Sequence, residues 1–204
     1  MNNLTTFYVI RHGETESNVK KIIQGQLDSP LTKKGIEEIK HIAKKLKGIK
    51  FDYAFSSDLL RAKRTAEIIA LEHKLEVQTT KLLRERRFGK FEGKPEIDFA
   101  PVAETRRKLA AEQRYSHKIH GIESDKEIVE RFVTFMREVA IAKPGKKILA
   151  VTHGGLIRFF LIKLGVGDHN TLRAGTVKNG AFVKIETDGI DFFVKEMSGI
   201  QFVN

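Results

Sequence analysis

The stretch Phe7-Tyr8-Val9-Ile10, followed at once by Arg11-His12-Gly13-Glu14-Thr15, decides how the rest of the chain is read. Four consecutive aromatic and β-branched residues predict a buried strand. Downstream, Ser29-Pro30-Leu31-Thr32 reads as a turn with Thr32 as an N-cap. Ile36, Ile39, Ile42, Ala43 and Leu46 then recur at helical spacing, and Gly48 ends that helix. Tyr53–Ser56 reads as a second strand, Leu59–Glu72 as a helix with Ala62, Ala66, Ile69 and Ala70 inward, and Leu75–Thr79 as a short third strand.

From Lys94 to Gly121 this alternation stops. The segment is polar, mixed in charge, and holds Pro95 and Pro101. It predicts a helical, lid-like insertion outside the core that closes loosely and admits water, because no strong apolar stripe holds it down. Ser124-Asp125-Lys126-Glu127 is a capping box opening a helix whose stripe is Ile128, Val129, Phe132, Val133, Met136, Val139 and Ala140. Pro144-Gly145 is a turn, Ile148–Val151 a strand and Leu156–Leu164 a helix. Gly180–Glu186 and Phe192–Glu196 flank Thr187-Asp188-Gly189, a hairpin signal. The expected fold is one α/β domain over residues 1–204, with a mostly parallel sheet, helices on both faces and a late antiparallel hairpin.

Composition narrows the function. The chain has 204 residues, 41% hydrophobic and 31% charged, an ordinary globular mix. Its apolar runs are too short to span a bilayer, and Met1–Thr6 is not a secretory leader, so no membrane partner and a cytoplasmic location are expected. Absence of cysteine excludes disulfides, thiolate metal sites and a cysteine nucleophile. The net charge of +11 favours an anionic partner. The lysines and arginines are scattered, as on a solubilising surface, and no nucleic-acid-binding signature accompanies them, so nucleic acid is not the expected partner.

Ligands of open α/β sheets sit beyond the carboxyl ends of the strands. There the sequence places Arg11-His12-Gly13, then Ser57-Asp58-Leu59-Leu60-Arg61, then Thr152-His153-Gly154-Gly155. Two arginines beside two histidines would repel a metal ion, so no metal is expected; no other cofactor is expected either. Two guanidiniums suit a tetrahedral dianion, and a neutral histidine can attack phosphorus. There is no nucleotide-cradling P-loop.

Arg11-His12-Gly13-Glu14-Thr15, Asn18, Gln24-Gly25, Asp28–Thr32, Gly35, Ser56–Ala62, Thr65-Ala66, Leu83-Arg84-Glu85, Phe88-Gly89, Glu92-Gly93 and Thr152–Gly155 stand in an order that resembles the histidine phosphatases, the phosphoglycerate-mutase-like superfamily. The resemblance implies a three-layer α/β/α sandwich. It implies His12 as the nucleophile that becomes phosphohistidine, with Arg11, Arg61 and His153 clamping the phosphoryl oxygens and Glu85 as general acid. Asn18, Gln24, Gly25 and Gly154 would line the phosphate pocket.

The implied function is a metal-independent phosphomonoesterase acting on a small phosphorylated metabolite. Two alternatives stand beside it. One is a phosphoglycerate mutase primed by 2,3-bisphosphoglycerate, disfavoured by the short 94–121 segment and by glycine rather than asparagine after His153-Gly154. The other is a non-catalytic phospho-ligand-binding module.

Other positions have plain readings. Arg84, Arg86 and Arg87 flank Glu85 and make a salt-bridged loop carboxylate an alternative to the general acid. Ser124 is explained by its cap, and Thr32 and Gly35 by a helix start. His41, His73, His117, His120 and His169 have no motif around them and are expected at the surface. Arg106, Arg107, Lys108, Arg114 and Lys118 form either a second anion contact or a solvated face. Phe192-Phe193-Val194 and Phe202-Val203 are apolar enough to line a homodimer interface or to form the sheet's edge.

Overall fold

The computed structural model describes residues Leu4–Val203. Met1–Asn3 and Asn204, the ends of the expected domain, lie outside the described residues. The strands are β1 (Thr5–Arg11), β2 (Tyr53–Ser57), β3 (Val77–Thr80), β4 (Lys147–Thr152), β5 (Val177–Thr187) and β6 (Phe192–Ile200). They form one sheet in the order β3-β2-β4-β1-β5-β6. The first four are mutually parallel, and β5 and β6 add antiparallel on the β1 side.

Alternation along the central strands builds the two outer layers, since successive side chains point to opposite faces. Tyr8 and Ile10 of β1 and Leu149 and Val151 of β4 pack on α2 (Lys33–Leu46) and α3 (Leu60–His73). Phe7, Val9, Ile148 and Ala150 pack on α6 (Asp125–Ala142) and α7 (Gly154–Lys163). This is the expected three-layer sandwich. The remaining helices are α1 (Glu16–Val19), α4 (Ala100–Arg107) and α5 (Ala111–Ser116).

The caps fall where the sequence places them. Thr32 accepts the Gly35 N–H at the start of α2. Ser124 and Glu127 cover each other's amides at the start of α6. Such a cap contributes about 1 kcal/mol.

Boundaries shift for local reasons. The third strand starts at Val77 and not Leu75, because Lys74 takes a left-handed conformation and Leu75 still donates to Ala70. The hairpin strands run longer than their alternation shows, with register irregularities at Val177/Phe182 and Lys184/Ile185. Helix α1 is a single polar turn closed by Thr15 and Asn18, invisible to a periodicity argument. At the late edge, Phe192 and Val194 pack against the core, while Phe193 and Phe202 are exposed.

The 94–121 segment is helical, as expected, but it is not a loosely held flap. Phe99 packs edge-on against Phe88 and Phe91. Arg106 is buried and reaches Asp125 of α6 at 2.6 Å. Arg114 donates to the carbonyls of Arg106, Arg107 and Leu109. Arg106 and the isolated aromatics Phe99 and Tyr115, not an apolar stripe, pin the segment, so hydrophobic periodicity gave no sign of it.

Candidate active site

The parallel pairing of β1 with β4 sets Arg11 opposite Thr152. One further backbone bond, from His12 N–H to the Thr152 carbonyl at 3.0 Å, continues the ladder past the strand ends. The two histidine rings therefore meet, with centroids 5.1 Å apart and planes at 61°. Both side chains are buried.

The His12 ring is oriented by its own backbone. Its Nδ1 lies 2.8 Å from the Gly13 carbonyl, which only accepts, so Nδ1 carries the proton and Nε2 keeps its lone pair. Burial, then the positive charges of Arg61 and Arg11, hold the imidazole well below its usual 6.5. His12 is thus neutral at neutral pH. His153 is lowered in the same way, by burial first and then by Arg61. Neither of its ring nitrogens has a hydrogen-bond partner among the described residues.

Arg61 sits in the first turn of α3, directly after β2. Leu59 supplies no side-chain cap there; Asp28 instead accepts the Leu60 N–H at 2.9 Å and ties the Gln24–Asp28 loop to the helix start. Arg61 holds that loop as well, donating to the Leu27 and Gly25 carbonyls at 2.7 Å each. Burial lowers it to about 10, so it stays cationic at neutral pH. Its Nε is buried without a partner among the described residues, as is that of Arg11, which is anchored on the Val177 carbonyl.

Glu85 is not a salt-bridged loop carboxylate. Its flanking Arg84 pairs with Asp58 and Arg86 with Asp125. The Glu85 oxygens instead accept the backbone N–H groups of Arg86 at 2.7 Å and Gly155 at 2.9 Å. A Cβ on Gly155 would overlap that carboxylate, so the close approach requires glycine here. Gly25 has φ +52, and a Cβ there would strike the Glu92 carboxylate.

Eight of the nine site residues expected from sequence line one cavity of about 390 Å³: Arg11, His12, Asn18, Gln24, Gly25, Arg61, Glu85 and Gly154. The ninth, His153, does not line it but packs on His12. Gln24 leaves its Oε1 buried and unpartnered among the described residues. Asn18 turns its carbonyl oxygen to Thr15 and Asn179. Among the described residues no three His, Cys, Asp or Glu side chains gather as a metal site would need, and no helix is long and apolar enough to cross a membrane.

Sequence reasoning missed several residues. Gly155 closes the Thr152–Gly155 run, but nothing in the sequence marks it as the contact of Glu85, and Arg158 lies three residues further on in α7. Phe88, Phe99 and Phe159 form an apolar side of the cavity. Asn179, on β5, donates to the His12 carbonyl at 3.1 Å; no local pattern marks it, because its partner lies across the sheet. His169 is a correction: it is only 15% exposed and stands 3.5 Å from buried Asp125.

A histidine pair and two arginines at the carboxyl ends of central strands define a class of α/β sandwich proteins. The chain belongs to the histidine phosphatase superfamily (branch 1), whose family model matches residues 7–198. It is 32% identical over 184 residues to the uncharacterized phosphatase PhoE of Bacillus subtilis, covering 90% of this chain and 89% of that one. It is 37% identical over 153 residues to phosphoglycerate mutase-like protein 4 of Arabidopsis thaliana, 74% of this chain but only 66% of the plant protein. The crystal structure of a phosphoglycerate mutase from Bacillus anthracis superposes with a TM-score of 0.80 at 30% identity, covering 98% of this chain and 94% of that one.

Proposed function

We propose that the protein is a phosphomonoesterase that hydrolyses a small phosphorylated metabolite, without a metal, through a phosphohistidine on His12. The observation that carries this reading is the orientation of His12: neutral, its Nδ1 proton given to Gly13, its Nε2 free beside two fixed guanidiniums. In the first step the Nε2 lone pair attacks phosphorus. The N–P bond forms, the P–O ester bond breaks, and the leaving oxygen takes its electron pair and a proton from Glu85. Water then attacks phosphorus and gives its proton to Glu85; the N–P electrons return to Nε2 and inorganic phosphate leaves. Arg11 and Arg61 neutralise the equatorial oxygens without reorganising, because both are already held on backbone carbonyls. His153 lies behind the cavity wall and, packed on His12, backs the attacking imidazole.

The test is to trap the covalent intermediate. Wild-type enzyme with a labelled aryl phosphate should yield an acid-labile phosphoenzyme, and His12→Ala should yield none and retain under about 1% of kcat. Retention of more would sink the covalent mechanism; no turnover by wild type would favour the silent binding module.

The mutase names among the relatives support a second reading. Incubation with 3-phosphoglycerate and catalytic 2,3-bisphosphoglycerate separates the two. Phosphate release should dominate, and isomerisation outrunning it about a hundredfold would promote the mutase.

A further inference from the structure

A second cavity, of about 480 Å³, opens beside the first. The two share a wall that includes Phe88, Phe99, Arg158 and Phe159. Around the second, Arg86, Arg106, Arg107, Arg114 and Arg173 join Arg158, and among the described residues no acidic side chain is part of the lining. Of the basic residues read from the 94–121 sequence, Lys108 and Lys118 stay outside it.

The structure leaves much of this charge uncompensated. Arg86 and Arg106 share a single carboxylate oxygen of Asp125, at 3.1 and 2.6 Å. Arg107 meets Glu104 only on the exposed face. Arg158 donates to the Leu172 carbonyl, and Arg173 to that of Asn170. Arg86 and Arg106 are 3% and 8% exposed in their side chains, and the Nε of each is buried without a partner among the described residues. Buried guanidiniums with spare donors and too few acids are costly unless an anion completes them.

We infer that this cavity is an anion subsite continuous with the phosphohistidine pocket, and that the substrate carries a second phosphate besides the ester that is cleaved. The inference rests on the phosphatase reading above. Arg158 lines both cavities, which is why one ligand spanning them fits better than two independent ones. Binding energy from the remote anion would then hold the ester against His12.

The experiment is a ruler. α,ω-Alkanediol bisphosphates of increasing chain length are compared with the matching monophosphates by kcat/KM, after correction for the two equivalent esters. At one or more lengths the bisphosphate should win by about tenfold or more, the size expected of a charge-assisted contact. The double variant Arg107→Glu/Arg173→Glu should reduce that ratio by about tenfold. Both side chains are exposed at the cavity, so the fold is kept, and Arg107→Gln/Arg173→Gln should reduce the ratio less.

Monophosphates that turn over with no advantage for any bisphosphate would overturn the inference while leaving the phosphatase reading intact. So would a ratio indifferent to charge reversal. Inorganic phosphate that stimulates monophosphate turnover, again with no advantage for the bisphosphates, would assign the cavity to a free anion. No turnover of any member would overturn the phosphatase reading itself, and this inference with it.

Discussion

A histidine buried with both ring nitrogens unpartnered is costly, and His153 is in that state. Its replacement separates stability from function. His153→Leu should lower kcat/KM at least about a hundredfold, while the urea midpoint at pH 7.5 stays level or rises. A loss of about 2 kcal/mol or more at that pH would mean that the free protein already satisfies His153. Glu85→Gln tests the proton donor. It should depress kcat far more for an alkyl phosphate, whose alkoxide needs a proton, than for p-nitrophenyl phosphate, whose phenolate does not. Equal losses would reduce Glu85 to a positioning residue on Gly155. Arg11, His12, Arg61 and Gly154, which line the cavity, were legible because they stand in short runs after strands, whereas Asn18, Gln24, Gly25 and Glu85 were legible only through the resemblance. Asn179 and Asp125 were not, since each serves partners distant in sequence and looks locally like any strand or helix-start residue.

At the level of elements, what carries a period was legible and what is held by charge was not. Helices α2, α3, α6 and α7 announce themselves through their stripes and caps. The 94–121 segment has neither, and its anchor is the Arg106–Asp125–Arg86 cluster. Asp125→Asn should therefore cost about 3 kcal/mol or more in urea unfolding, because two buried guanidiniums lose their only shared charge. The triple change Arg86→Met/Arg106→Met/Asp125→Leu should recover most of that loss, since apolar groups need no partner. If the triple variant were less stable than Asp125→Asn, the cluster would be contributing more than mutual compensation.

For the whole molecule, the neutral histidines predict how stability follows pH. His12 and His153 are both held well below 6.5 by burial, so in the folded state they resist protonation. Below about 6.5 the unfolded chain takes up protons that the folded chain refuses. Their contribution is complete above that pH and is lost as pH falls beneath it, by up to about 1.4 kcal/mol per unit for each histidine. Urea titrations at pH 7.5 and 5.5 should show the drop, and His153→Leu should make it shallower. The order of the sheet has a further consequence, for the birth of the protein. β1 lies between β4 and β5, so both its neighbours come from the last third of the chain, starting at Lys147 and Val177. A fragment ending before Lys147 should stay unfolded by circular dichroism, and refolding of the whole should be slow for its size. As the ribosome works, the first strand made is an apolar ribbon with nowhere to pair. The buried histidine just past its end, His12, gains its neighbour His153 only when synthesis is nearly done, so a truncated product carries an unpaired edge and an incomplete cavity.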